Sequence, residues 1–181
     1  VYNTKHVYEV QGEPRFVSGY LKRSGKPIAF SAKIGSDRKI EWIREIGSKS
    51  KSLLPLGNKA LQVFEANKGC ITLVSGQTAD SIWINTLVML NEKGKTVLNK
   101  KIDIDNEAVL YCFDEINKFS LIAFANKNVD STNLYNSFTL CRTDSLGNIL
   151  WETPIEINGQ LVDIVKTENG HLAFFNFSTY N

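Results

Sequence analysis

Short apolar segments separated by polar turns make up most of this chain. Residues 138–143 alternate between apolar and polar side chains, a pattern that predicts a β-strand. Residues 144–148 (Asp-Ser-Leu-Gly-Asn) then predict a turn, because Gly and Asn tolerate a positive φ and Asp and Ser side chains can bond back to nearby backbone amides. An apolar segment resumes at 149–151, so the whole stretch predicts a β-hairpin.

The same hairpin pattern occurs three times at a spacing of about fifty residues, which is typical of repeat architectures. Trp42, Leu98 and Trp151 can be placed in register, each where an apolar strand resumes after the turn. A second pattern, two apolar strands joined by a turn with Gly or Asn, accompanies these hairpins. The tripeptide Val-Ser-Gly at 17–19 recurs at 74–76, which marks the same position in two copies.

The repeating unit therefore contains four strands, and we predict an all-β fold of four-stranded antiparallel sheets. Such units in series are typical of a β-propeller, because one sheet cannot bury both of its faces alone and must stack on its neighbours. The predicted blades are 5–47, 61–102, 108–155 and a partial one at 161–181. About three and a half blades would then form a single segment over 1–181, as part of a larger propeller. A helix over 37–46, where isoleucines are spaced by three, is the competing prediction and conflicts with the repeat.

The charge balance of the chain is nearly even, with 21 basic and 19 acidic residues and a formal net charge of +2. Without a basic stripe, binding to nucleic acid or to an anionic membrane surface is not expected. No apolar run reaches the roughly 18–20 residues that span a bilayer, and the first residues lack the layout of a secretion signal. The chain begins with Val1 rather than Met, so we expect a mature form, a trimmed form or part of a longer protein.

The segment with Asp144, Gly147 and Trp151 resembles the blade motif of quinoprotein-like propellers, in which an Asp, a Gly and a Trp close each sheet against the next. The acidic-Asn-Gly turn at 168–170, followed by an apolar strand, is similar to propeller repeats frequent in envelope proteins of Bacteroidota-type bacteria. Only the third unit has the full motif, since the second has Leu98 at the Trp position. The resemblance implies a propeller, an extracytoplasmic location in the periplasm or at the outer membrane, and other envelope proteins as partners.

Side chains that could carry out catalysis or bind a metal ion do not converge in this pattern. His6 and His171 belong to different units, and the alternating carboxylates at 103–107 lack the Gly and the distant Glu of a calcium loop. The adjacent carboxylates Asp114 and Glu115 lie in a hairpin turn, where solvation is their ordinary role. No nucleophile elbow or glycine-rich phosphate loop occurs. We therefore predict no enzyme activity, no catalytic residues, no metal ligands and no cofactor.

The three cysteines show no metal-ligand spacing, and an odd number cannot pair completely within one chain. Each of them, Cys70, Cys112 and Cys141, lies in an apolar alternation. Cysteine in that setting behaves as a small hydrophobic residue. We expect buried free thiols.

Binding is the function that this pattern favours. Trp83 and Tyr135 lie in loops between the second and third strands of their units, outside the repeat pattern, and are the candidate contact residues. The loops at 21–28, 77–83 and 126–136 would form the contact surface. Trp42 and Trp151 are instead expected to hold neighbouring blades together.

We expect a non-catalytic protein-interaction scaffold or an accessory subunit of a bacterial cell-envelope assembly. The alternative is a carbohydrate-binding or carbohydrate-active propeller with a glycan as its partner. That alternative stays open because the separation of two carboxylates in space is not visible in a sequence. A soluble sensor that binds a small molecule is the third possibility.

Overall fold

The computed structural model describes residues 2–10, 13–23, 26–46, 56–78, 80–125, 137–156, 160–168 and 170–176. Within these ranges the chain forms strands and turns and no helix, which confirms the predicted all-β, repeated-strand character. Accordingly, none of the described residues belongs to a helix that could cross a membrane. The strands in chain order are β1 (Tyr2–Val10), β2 (Glu13–Arg23), β3 (Lys26–Ile34), β4 (Ile40–Ile46), β5 (Leu56–Ala66), β6 (Gly69–Gln77), β7 (Trp83–Leu90), β8 (Thr96–Ile102), β9 (Glu107–Asp114), β10 (Phe119–Ala125), β11 (Ser137–Asp144), β12 (Ile149–Glu156), β13 (Gln160–Thr167) and β14 (Gly170–Asn176).

Within each sheet consecutive strands pair in antiparallel fashion, so the strand order follows chain order. The first sheet is β1-β2-β3-β4, the second β5-β6-β7-β8 and the third β9-β10-β11-β12, while β13 and β14 form a two-stranded sheet. The competing helix over 37–46 does not occur, because 40–46 is strand β4. Strand β5 begins at Leu56, ahead of the predicted start of the second unit at 61. The sequence hides this start because Gly57 and an irregular register interrupt the alternation of the strand.

One five-residue turn recurs between the third and fourth strands of all three four-stranded sheets, at 35–39, 91–95 and 144–148. In each turn the amide of the first residue donates to the carbonyl of the fifth, and the amide of the fourth donates to the carbonyl of the first, at 2.8–3.0 Å. The fourth residue has a left-handed backbone, with φ of 60° at Arg38, 71° at Gly94 and 79° at Gly147. Glycine adopts this conformation without steric cost, which explains two of the three choices.

The strand that follows this turn has the same pairing register in each sheet. Trp42 pairs with Lys33, Leu98 with Met89, and Trp151 with Arg142, and in all three sheets a register shift follows toward the turn. The three residues therefore occupy equivalent positions. Because side chains alternate along a strand, this position determines the face of the sheet to which each side chain points.

The chain divides into two compact units, Val1–Asp105 and Asn106–Asn181. In the first unit β5 packs against β1, β2 and β3, so the first two sheets bury a common face. Full burial of each Val, Leu, Ile or Phe side chain contributes about 1.5–3 kcal/mol. The Ser18 hydroxyl donates to the Leu61 carbonyl and so satisfies a buried polar group. The core side chains are Phe16, Ala29, Ile46, Ala60, Val63, Cys70, Val74, Val88 and Leu90.

Candidate protein-binding surface

In the first unit Trp42 attaches β4 to the turn at 91–95 of the next sheet. Its indole Nε1 donates to the Glu92 carbonyl at 2.8 Å, and Arg44 Nε donates to the Gly94 carbonyl at 2.9 Å. The Trp42 ring also packs against Phe16, with ring centroids 6.2 Å apart. A Cβ atom on Gly94 would lie only 2.8 Å from Cδ2 of Trp42. The turn therefore needs glycine at this position for space as well as for its positive φ.

Trp151 holds the equivalent register position in the second unit, but its side chain is 41% exposed. Its neighbours Ile149 and Leu150 are exposed as well. The expectation that both tryptophans hold neighbouring sheets together therefore agrees with the geometry of Trp42, whereas Trp151 presents a large part of its indole to solvent. An exposed tryptophan with adjoining apolar side chains is a typical anchor for a protein partner.

An apolar cavity of about 80 Å³ lies between the third sheet and the β13–β14 hairpin. Trp151 and Ile155 lie on the same face of β12, because alternate residues of a strand point to one side. Both Leu140 and Ile155 at this edge are only half-buried. The residues that line the cavity are Leu121, Ala123, Phe138, Leu140, Ile155, Leu161, Ile164, His171 and Ala173.

The opposite face of the β13–β14 hairpin is also apolar and exposed. A register shift between Leu161 and Asp163 lets Leu161 and Ile164 both point to the buried side. The side chains on the other face are Val162, Val165, Leu172 and Phe174, and all four are exposed. The hairpin therefore has apolar side chains on both faces, and the third sheet covers one of these faces.

Two contacts of the Phe119 ring lie at the border of the apolar region. The Arg142 guanidinium carbon lies 3.9 Å from the centroid of the Phe119 ring, which is close enough for a cation–π contact. The His171 ring meets the same Phe119 ring edge-on, with centroids 5.4 Å apart. These contacts hold the Arg142 and His171 side chains in place, and the two polar side chains border the apolar region on one side.

The turn before Trp151 is held by Asp144. Its Oδ1 accepts hydrogen bonds from the backbone amides of Leu146 and Asn148 at 2.9 and 2.8 Å, and its Oδ2 accepts from Asn148 Nδ2 at 2.8 Å. Burial raises the pKa of the Asp144 carboxyl, but these hydrogen bonds outweigh it and hold the pKa below its usual 3.8. The carboxylate acts as a turn cap and places Trp151 at the start of β12.

Of the two contact residues predicted from sequence, the structure describes Trp83. Trp83 begins β7 and is half-buried, and its backbone amide donates to Asp105 Oδ1 at 2.6 Å. The side chain of Asp105, one of the alternating carboxylates, thus caps a strand. Tyr135 and the loop at 126–136 lie outside the described residues. Sequence reasoning missed the apolar hairpin surface, although the near-continuous apolar stretch at 172–175 was a signal for it.

Other polar candidates also have structural partners. Asp114 is buried, and its Oδ1 accepts from the amides of Ile116 and Asn117 at 3.0 and 3.1 Å, which makes it a turn cap. Asp103 pairs with Lys101 at 2.9 Å, and that hydrogen bond lowers the pKa of Asp103. His6 lies on β1 and His171 on β14, in separate compact units.

The cysteines are buried free thiols, as predicted. Burial raises the pKa of Cys70 to about 12 and, with the nearby Glu152 carboxylate, that of Cys141 to about 11. A thiol with so high a pKa is protonated at neutral pH and is a poor nucleophile.

Within the described ranges, no group of three or more His, Cys, Asp and Glu side chains is placed to hold a metal ion. The most distinctive surface of the described chain is instead the apolar region around Trp151, which offers contact area rather than reacting groups. Comparison with models of known protein families gives no match, and comparison with curated proteins gives none either. The geometry of the chain itself is therefore the basis for assigning a function.

Proposed function

We propose that this chain is a non-catalytic protein-binding module of propeller-like construction, which binds a protein partner through the apolar surface around Trp151. The observation that carries the proposal is the 41% exposure of Trp151, at a position where its counterpart Trp42 is packed. Trp151 lies on the same face of β12 as Ile155, which lines an apolar cavity. Exposed apolar regions rimmed by polar groups mark protein interaction sites.

The propeller-like construction is supported by three chain-ordered antiparallel sheets with one shared turn and one shared register. Face-to-face packing of the first two sheets in the first unit agrees with it. The envelope assembly is supported by the sequence resemblance of the Asp144–Trp151 segment. In that setting the chain would be a structural or accessory subunit.

A small-molecule ligand fits this surface poorly. Ligand pockets usually enclose about 300–1,000 Å³, whereas this cavity holds about 80 Å³. A glycan also finds few hydrogen-bond partners here, because sugar hydroxyls need polar groups and most of the side chains that line the cavity are apolar. A protein partner meets neither difficulty, since it does not need an enclosed pocket and can present apolar side chains of its own.

Site-specific photo-crosslinking tests the proposal. A photoreactive phenylalanine is placed at position 151 of the full protein in its native cells, and adducts are identified by mass spectrometry. Ile116, 81% exposed in a turn of the same unit, is the matched control position. We expect a defined protein adduct from 151 and none from 116. If both positions gave the same adducts, or 151 gave none, the proposed function would be wrong.

A further inference from the structure

We infer that Arg142 is a binding site for a carboxylate group, which takes the place of a counter-ion that the first sheet supplies from its own fourth strand. The inference goes beyond the proposed function, because the ligand is defined by its charged group and not by the molecule that carries it. It follows from a comparison of one pair of positions in the three four-stranded sheets.

The pair combines a residue of the third strand with the bulged residue of the fourth strand. A bulge places two consecutive residues of one strand opposite a single residue of its partner. In the first sheet Lys33 pairs with Trp42, and the register shift that follows makes Glu41 the extra residue. The corresponding pairs of the other two sheets are Met89 with Val97 and Arg142 with Leu150.

The two members of the pair match in charge in the first two sheets and not in the third. Nζ of Lys33 lies 2.7 Å from Oε2 of Glu41, so this cation is neutralised within its own sheet. The second sheet has two uncharged side chains, methionine and valine. The third sheet combines arginine with leucine, and the Leu150 side chain is 56% exposed. The third sheet therefore keeps the cation without the carboxylate.

Arg142 is half-buried and held in one place. Its guanidinium carbon lies 3.9 Å from the centroid of the Phe119 ring, and its Nε is buried without a hydrogen-bond partner in the described part of the chain. Nor does it form a salt bridge with a described carboxylate. Asp144, two residues later, uses both of its oxygens to cap the turn at 144–148. A half-buried cation in this state gains more from an added anion than an exposed arginine does.

A carboxylate is the anion that this site favours. The stacked guanidinium offers its donors in a planar fork, which matches the two oxygens of a carboxylate. Phosphate also matches such a fork, but the apolar neighbours Leu150 and Trp151 disfavour a strongly hydrated dianion. The counterpart in the first sheet, Glu41, is a carboxylate as well.

An NMR titration of the arginine Nε–H signals tests the site. The probes are sodium propionate, sodium phosphate and sodium chloride at equal ionic strength, added to the ¹⁵N-labelled full chain. We expect a saturable shift of the Arg142 signal with propionate and none with phosphate or chloride. Arg44 is the matched control, because its Nε already donates to the Gly94 carbonyl at 2.9 Å, and its signal should stay unchanged. Arg142→Lys and Arg44→Lys assign the two signals.

A substitution that restores the matched pair gives a second test. Leu150→Glu places a carboxylate at the position that Glu41 has in the first sheet. It should abolish the propionate shift and raise the midpoint of thermal unfolding at low salt. Leu150→Gln, of the same shape without the charge, should do neither. The gain from Leu150→Glu should disappear in an Arg142→Gln background, as a double-mutant cycle requires for a direct pair.

The crosslink at position 151 distinguishes a protein side chain from a small molecule as the source of the carboxylate. Arg142→Gln should lower the yield of the protein adduct about threefold or more if a protein carries the carboxylate. An unchanged yield together with the propionate shift would assign the site to a small carboxylate.

Three results would overturn the inference: an equal shift with chloride, a stronger saturable shift with phosphate, or a propionate shift that persists in Leu150→Glu. The proposed function fails separately. A carboxylate-specific shift at Arg142 without any adduct at position 151 would keep the site and remove the protein-binding surface.

Discussion

The indole N–H of Trp42 donates a 2.8 Å hydrogen bond to the backbone carbonyl of Glu92, which lies 50 positions later in the chain. The acceptor belongs to the backbone, so the identity of residue 92 matters little for this bond, whereas residue 94 must be small enough to admit the ring. Trp42 and Gly94, together with the Arg44 hydrogen bond to the Gly94 carbonyl, therefore attach two consecutive sheets of the first unit at this edge.

Replacing Trp42 by Ala should lower the free energy of unfolding by about 2–4 kcal/mol, because truncation of a packed ring leaves a space beside Phe16. Trp42→Phe should cost about 0.5–1.5 kcal/mol for the lost hydrogen bond. Trp151→Ala is the matched comparison and should cost about 1 kcal/mol or less, since its ring is exposed. Denaturant titration followed by circular dichroism measures all three. Equal losses for Trp42→Ala and Trp151→Ala would contradict the difference between the two sites.

Replacing Gly94 by Ala should lower the free energy of unfolding by about 2 kcal/mol or more, from backbone strain at positive φ and from the clash with Trp42. The clash has a signature of its own in a double-mutant cycle. In a Trp42→Ala background the cost should fall to the strain alone, about 1–2 kcal/mol. If Gly94→Ala cost the same in both backgrounds, the ring contact would have no energetic weight.

The strands could be predicted from the sequence because period-two alternation and turn residues report local structure. Strand β4 is instructive: its isoleucines are spaced as in a helix, and comparison with the equivalent segments before Leu98 and Trp151 favoured the strand that the structure has. The early start of β5 could not be predicted, because Gly57 interrupts its pattern. Alternation therefore predicts the type of an element more accurately than it predicts where the element begins and ends.

The candidate surface could not be predicted, because exposure depends on what packs against a strand. Trp42 and Trp151 occupy the same local pattern and register, yet only Trp42 meets a turn of a following sheet among the described residues. In β13 the bulge after Leu161 also changes which residues face inward, so Val162 and Ile164 point to different faces. The sequence shows apolar residues at all these positions without telling which are covered.

Replacing Lys68 by Gly should raise the free energy of unfolding by about 0.5–1 kcal/mol. Asn67 and Lys68 form a two-residue hairpin turn with φ of 49° and 62°, a geometry that favours Asn-Gly. Lys68→Ala is the control, because alanine keeps the Cβ that disfavours this backbone and should give no gain. Thermal unfolding measures both variants. Stabilisation by alanine as large as that by glycine would show that removal of the lysine charge, and not backbone strain, is responsible.

The stability of the turn before Trp151 should depend on pH through Asp144. Hydrogen bonds from Asn148 and from nearby backbone amides outweigh burial and lower the pKa of Asp144 below 3.8. Its carboxylate therefore stabilises the folded state above pH 3.8, and that contribution is lost as the pH falls through the lower, folded-state pKa. The difference in unfolding free energy between wild type and Asp144→Asn should narrow over this range.

Since the donors are uncharged, the difference should persist in 1 M salt, whereas the corresponding effect of Asp103→Asn should vanish with the screening of Lys101. A salt-sensitive Asp144 effect would contradict the capping role.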